Sequence, residues 1–118
     1  MKNQAYRMTL LFDFYGEMLT DRQKEFYDLY YNEDLSLGEI AENYGVTRQG
    51  VRDAIVRAEA TLTELEEKTG IIRRFQAQQK DLAAIAELAQ AARRENSNPT
   101  VEDHLRRIGD LADKLSKE

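Results

Sequence analysis

Apolar residues recur every three or four positions along almost the whole of this 118-residue chain. An α-helix places residues with this spacing on one face, whereas a half-buried β-strand needs strict alternation, which no β-branched run shows here. The spacing therefore predicts an all-α fold. The first predicted helix carries a single apolar stripe, formed by Met8, Leu11, Phe12, Tyr15, Met18 and Leu19.

Two capping boxes divide the next part of the chain into helices. In a capping box the N-cap side chain bonds the backbone three residues later, and the side chain of that residue bonds back. Thr20–Gln23 and Ser36–Glu39 have the residue types that this arrangement needs. They predict a second helix with Phe26, Leu29 and Tyr30 facing inward, and a short third helix whose start is held by Leu35 and Ile40.

The third predicted helix leads into a helix-turn-helix motif. Such a motif needs a small residue where its helices cross, a glycine in the turn and apolar residues on the second helix. Ala41, Gly45 and Val51 fill these positions. Thr47 is the predicted N-cap of the fourth helix, with Val46 and Val51 packed across its start. That helix is predicted to run to about Gly70 and to bury Val51, Ile55, Ala58, Leu62 and Leu65.

The last third of the chain differs in composition from the rest. Nine of the ten aromatic residues precede residue 45, whereas residues 83–92 include six alanines. We predict a helix-turn-helix domain at residues 1–70 and a two-helix tail at residues 71–118, the tail packing within the chain or forming a homodimer. The inward residues are Ile72, Phe75, Leu82, Ile85 and Ala89 on the fifth helix, and Val101, Leu105, Ile108, Leu111 and Leu115 on the sixth.

Composition excludes several classes of protein. The chain has no cysteine and only one histidine, His104, so it has neither a disulfide framework nor a Cys/His metal site or nucleophile pair. Its glycines do not cluster into a phosphate-binding loop. We therefore expect no catalytic residues, no cofactor and no metal. The apolar stretches fall far short of the ~20 residues of a membrane span, so we expect a cytoplasmic protein without one.

The start of the fourth helix is the candidate nucleic-acid surface. With Val51 and Ile55 inward, the helical turn of about 100° per residue points the other face outward. Gln49 and Arg52 have the chemistry to bind adenine and guanine edges, and Thr47 and Arg48 can hold phosphates. The alternative is that these residues are merely solvated. Residues 1–68 hold 8 basic and 14 acidic residues, a net charge of −6, which is unlike the basic surface of most DNA-binding proteins.

Longer segments around this motif resemble one family. Leu11–Tyr15, Asp34–Glu42 and Val46–Glu59 resemble the YlxM proteins, small bacterial proteins similar to the promoter-reading region 4 of sigma factors. Gly50 and Arg52 depart from that resemblance, since the family tends to have alanine and an aromatic residue there. The genes of the family lie beside those of the signal recognition particle. The resemblance implies a regulator of the particle's pathway that is not an enzyme.

The resemblance leaves the partner open among the particle's protein, its RNA and a promoter. A DNA-binding transcription regulator is the main alternative, and an RNA-binding accessory protein, using the pairs Arg73–Arg74, Arg93–Arg94 and Arg106–Arg107, is a weaker one. An acidic domain is attracted to the particle's basic RNA-binding protein and repelled by its RNA, so protein is the favoured partner. The expected contacts are the exposed carboxylates on the motif's two helices, whose other role is solubility: Glu39, Glu42, Asp53, Glu59 and Glu64.

Overall fold

The computed structural model describes residues 5–117, and this part of the chain contains six α-helices and no strand. The all-α prediction is confirmed. A short 3₁₀ turn, Gly16–Met18, follows the first helix. The helices are α1 (Ala5–Tyr15), α2 (Asp21–Tyr31), α3 (Leu37–Tyr44), α4 (Arg48–Thr69), α5 (Ile71–Glu95) and α6 (Pro99–Ser116).

Both predicted capping boxes are present. The Thr20 hydroxyl accepts from the Gln23 backbone at 3.2 Å, and the Gln23 side chain accepts from the Thr20 backbone at 3.1 Å. Ser36 and Glu39 make the equivalent pair, both at 3.0 Å. Each box satisfies two N–H groups that a helix start otherwise leaves without a partner. The boundaries of α2 and α3 are therefore set by local chemistry.

The first core cluster joins α1 to the middle of α4. Because α1 ends at Tyr15 and the tighter 3₁₀ turn follows, the predicted apolar stripe does not continue. Met18 is exposed, so its predicted burial is wrong, whereas Leu19 is buried as predicted. The buried members of this cluster are Met8, Leu11, Tyr15, Leu19, Tyr27, Ala58, Leu62 and Ile72.

Tyr27 is a core residue that the sequence pattern missed. Its side chain is fully buried, and its hydroxyl donates to the Met8 carbonyl oxygen at 2.6 Å. The Phe12 ring stacks on it with the ring centroids 5.3 Å apart. Burial raises the pKa of the Tyr27 phenol above its usual range, because the ionised form is poorly solvated there.

The second core cluster holds the helix-turn-helix together. Its buried members come from α2, α3 and the start of α4, so three helices meet around the motif. Gly45, in the left-handed conformation at φ 64°, ends α3 as predicted. The buried residues are Phe26, Tyr30, Ile40, Ala41, Val51 and Ile55.

A buried carboxylate closes the C-terminal end of α4. Glu66 is buried, whereas Leu65, predicted to face inward, is only half-buried. The Tyr15 hydroxyl donates to Glu66 Oε1 at 2.6 Å, and the Ile72 backbone N–H donates to the same oxygen at 2.9 Å. The Tyr15 hydroxyl also lies 2.5 Å from the Thr69 hydroxyl. Glu66 thus ties α1 to the first turn of α5.

The chain divides into two compact units, the first ending at Ile72 and the second beginning at Arg73. In the second unit, Ala89 of α5 and Ala112 of α6 are buried, and Gly109 faces Ala89. An ion pair between Arg93 and Glu102, 2.8 Å long, joins the two helices near their connection.

The predicted inward faces of α5 and α6 are partly wrong. The small residues Ala89, Gly109 and Ala112 make the contact between the two helices, since they allow close approach. The larger apolar side chains are rotated away from this contact. Phe75, Leu82 and Leu105 are half-buried. The predicted core residues that are instead exposed are Ile85, Val101, Ile108, Leu111 and Leu115.

Candidate functional site

The turn between α3 and α4 positions the candidate site. The Val46 N–H donates to the Ala41 carbonyl at 3.0 Å, which folds the chain back directly after α3. Ile40 and Val51, both fully buried, then fix the two helices against each other. Because the two helices pack together through these residues, the opposite side of the first turn of α4 stays exposed, as a helix-turn-helix requires.

Thr47 is the N-cap of α4. Its hydroxyl oxygen accepts from the Gly50 N–H at 3.0 Å, and the hydroxyl hydrogen is still able to donate to a phosphate oxygen. A Cβ added at Gly50 would lie 3.1 Å from the Thr47 hydroxyl oxygen, which is tight. Gln23 and Glu39 occupy the same position after their caps and carry a Cβ, so the Thr47 cap does not require glycine, and nothing in the structure explains the departure from alanine.

Arg48 lies at the mouth of an open depression between α3 and α4. Its aliphatic stem passes over Gly38, since a Cβ added at Gly38 would meet Arg48 Cδ at the ordinary contact distance of 3.5 Å. Tyr30, Ser36 and Leu37 complete the lining of the depression. No pattern in the sequence associates these three residues with Arg48. The lining residues come from α2, from the start of α3 and from the start of α4, so only the three-dimensional packing brings them together.

Gln49 and Asp53 are bonded to each other on the exposed face of α4. The Gln49 amide nitrogen donates to Asp53 Oδ1 at 2.8 Å. An amide binds an adenine edge by donating and accepting at once, and this bond occupies one of the two amide N–H groups and restrains the orientation of the amide. Arg52 and Val56 are exposed on the same helix. The structure therefore brings all four predicted nucleic-acid residues to one helix start, with an acidic side chain among them.

Four of the five carboxylates predicted for a protein partner already have bonding partners within the chain. Glu39 is bonded within the capping box of α3, and Asp53 accepts a hydrogen bond from Gln49. Glu59 accepts from the Tyr31 hydroxyl at 3.0 Å. Burial first, and then the negative charge of Glu59, raises the pKa of the Tyr31 phenol. The fifth carboxylate, Glu42, is exposed on α3.

The fourth of these partnered carboxylates is Glu64, which pairs with Lys68 one turn further along α4. Their charged atoms are 2.9 Å apart, and both side chains are exposed. The hydrogen bond with Lys68 lowers the pKa of the Glu64 carboxyl, and the same bond raises the pKa of the Lys68 ammonium. Exposed pairs of this kind stabilise a helix only weakly, so Glu64 remains able to exchange Lys68 for another cation.

Two of the arginine pairs considered for RNA binding are occupied by acidic neighbours. Arg93 pairs with Glu102, and Asp103 pairs with both Arg106 and Arg107, at 2.6 and 3.1 Å. These ion pairs lower the pKa of Asp103. Three of the four arginines in these two pairs are therefore partly neutralised by neighbouring carboxylates.

Neither a metal site nor a membrane span is found in the part of the chain that the structure describes. Within residues 5–117, no group of three or more His, Cys, Asp or Glu side chains is arranged to hold a metal ion. None of the helices described is both long enough and apolar enough to span a membrane.

Comparison with known proteins gave one family. The family "UPF0122: Putative helix-turn-helix protein, YlxM / p13 like" matches residues 2–103. A UPF0122 protein of Desulforamulus reducens is 53% identical over 85 residues, covering 72% of this chain and 73% of the relative. One from Caldanaerobacter subterraneus subsp. tengcongensis is 47% identical over 87 residues, 74% of each chain. One from Bacillus cereus strain AH187 is 48% identical over 88 residues, 75% of this chain and 80% of the relative.

Proposed function

This chain belongs to the UPF0122 family, as its resemblance to YlxM predicted, and we propose that it is a non-catalytic regulator of the signal recognition particle pathway. In this proposal the surface of α3 and α4 binds the particle's basic protein. The choice of particle comes from the gene neighbourhood of YlxM proteins. With this partner, the protein acts in the cytoplasm.

The observation that carries the proposal is the bond between Gln49 and Asp53. Gln49, the residue best suited to recognise a base, donates a hydrogen bond to the Asp53 carboxylate at 2.8 Å, on the face of α4 that would meet DNA. This face carries the positive charges of Arg48 and Arg52 as well as the negative charge of Asp53, but residues 1–68 together have a net charge of −6, which opposes the approach of a nucleic acid. A basic protein surface meets the same charges favourably, so the electrostatics support protein as the partner.

The experiment that tests the proposal reverses charge without breaking a cap. Glu39 is left unchanged because it belongs to the capping box of α3. Glu42→Lys with Asp53→Lys removes two negative charges and adds two positive ones, which changes the net charge of the motif by +4. We expect this double variant to bind the particle's purified protein at least tenfold more weakly at low salt, and to gain affinity for the particle's RNA.

A matched control places the same charge change elsewhere. Glu87→Lys with Asp113→Lys reverses two exposed carboxylates of the second unit. This control should bind the particle's protein within about twofold of the parent, a change that corresponds to less than 0.5 kcal/mol. If the Glu42 and Asp53 reversal binds as tightly as the parent, the motif's acidic surface is not the interface.

One observation favours DNA binding as a second candidate function. The N-terminus of α4 is exposed, and Thr47, Arg48 and Arg52 lie on it within a helix-turn-helix. Selection from random duplexes in physiological salt tests this candidate, and we expect only weak, strongly salt-dependent binding. Recovery of a site bound at nanomolar affinity, and weakened by Arg52→Ala, would favour the promoter over the particle.

A further inference from the structure

The second unit leaves most of its large apolar side chains uncovered. Ala89 and Ala112 are the buried hydrophobic residues of this unit in the part of the chain that the structure describes. Two helices of this length need a covered apolar face to be stable, because isolated helices are marginal in water. The exposed fractions are 43% for Ile85, 69% for Leu88, 41% for Val101, 45% for Ile108, 57% for Leu111 and 51% for Leu115.

These six side chains share one face of the α5–α6 pair. The contact between Ala89 and Gly109 fixes which way each helix faces its neighbour. At about 100° per residue, Leu88 and Ile108 then point to the same side, about a quarter turn from that contact, and Leu111 lies at the outer edge of that side. On the opposite side a groove is lined by polar residues of both helices, among them Gln90, Arg106 and Asp110. The six residues therefore form a two-helix apolar face, and the polar groove forms the solvated one.

We propose that this apolar face, Ile85, Leu88, Val101, Ile108, Leu111 and Leu115, is where two copies of the chain associate, as a four-helix bundle. A second copy presents the same face, so each helix pair covers the other about a two-fold axis. The inference is independent of the proposed function. Its consequence for that function is that each dimer carries two helix-turn-helix units.

The area of the face agrees with what a dimer needs. Six side chains, each about half exposed, present on the order of 400 Å² of apolar surface, within the range that marks an interaction site. With the ~65% apolar content of homodimer interfaces, this corresponds to about 600 Å² per copy. The total of about 1,200 Å² is at the lower end of stable interfaces, which indicates a dimer that dissociates at micromolar concentration.

Sedimentation of the full chain between about 1 and 300 μM tests the proposal. The parent should pass from monomer to dimer over this range. Leu88→Gln with Ile108→Gln should raise the dissociation constant at least tenfold, because both side chains lie at the centre of the apolar face. Met18→Gln is the matched control, since Met18 is 68% exposed in the first unit, and it should leave the constant unchanged.

A measurement on the unmodified protein guards against variants that fold poorly. Amides of α6 should exchange with deuterium more slowly at high protein concentration than at low, whereas those of α4 should exchange equally at both. A parent that stays monomeric at 300 μM, a dimer that the double variant leaves intact, or concentration-independent exchange in α6 would each overturn the proposal.

Discussion

At the scale of single residues, the buried carboxylate of Glu66 has the clearest structural role. One oxygen accepts from both the Tyr15 hydroxyl and the Ile72 backbone N–H, where α4 gives way to α5. A buried donor that loses its partner costs about 1–3 kcal/mol, which is more than a hydrogen bond gains on average. The side chain therefore matters mainly through the two donors that it satisfies.

We expect Glu66→Ala to lower the free energy of unfolding by about 1–3 kcal/mol, because the buried Ile72 N–H loses its acceptor, while the Tyr15 hydroxyl keeps the Thr69 hydroxyl as a partner. Glu66→Gln keeps an acceptor oxygen and should cost less. Urea denaturation of the two variants measures the difference. Glu67→Ala, at an exposed neighbouring position, is the control and should change stability by less than about 0.5 kcal/mol. Equal losses for Glu66→Ala and Glu67→Ala would contradict this account.

At the scale of helices, caps and turns were predictable from the sequence because they depend on residues three or four positions apart. Thr20, Ser36, Gly45 and Thr47 all act as their local sequence indicates. The Gln49–Asp53 bond has the same spacing, so it was also within reach of a sequence argument.

Burial on α2 was not predictable in the same way. Tyr27 packs in the first core cluster, whereas its neighbour Phe26 packs in the second. A single inward stripe cannot describe a helix that lies between two clusters. The inward faces of α5 and α6 differ in part from the prediction for a related reason. Close approach at Ala89 and Gly109 turns the larger side chains outward, and only the three-dimensional packing decides this.

The turn between α3 and α4 gives a prediction about backbone conformation. Gly45 has φ 64°, and a Cβ added there would meet no atom within 4 Å. A substitution is therefore opposed by backbone strain and not by a clash. Gly45→Ala should lower the free energy of unfolding by about 1 kcal/mol, and Gly45→Asn by less, since asparagine tolerates this conformation better. Thermal unfolding measures both, and a larger loss for asparagine than for alanine would contradict the strain argument.

At the scale of the whole molecule, buried and half-buried tyrosines make the protein less stable at high pH. Burial raises the pKa of Tyr15, Tyr27 and Tyr31 above the ordinary value of about 10. The unfolded chain therefore loses phenol protons at a lower pH than the folded chain does. Stability is fully present below about pH 10 and is lost as pH rises through the folded values.

Urea midpoints measured at about pH 8, 10 and 11 check this dependence, and we expect the midpoint to fall above pH 10. Tyr27→Phe should lower the midpoint at pH 8, because the Met8 carbonyl loses its donor, and should make the fall above pH 10 shallower. A midpoint that is constant or rises between pH 10 and 11 would contradict the assignment of these phenols to the core.

We propose that the acidic domain of residues 1–68 binds a basic protein and not a nucleic acid. Titrating the labelled full chain with the signal recognition particle's protein, and separately with its RNA, tests this most directly. We expect binding to the protein that weakens steeply as salt rises, and no measurable binding to the RNA alone at physiological salt. Binding to the RNA alone that is as tight as binding to the protein would contradict it.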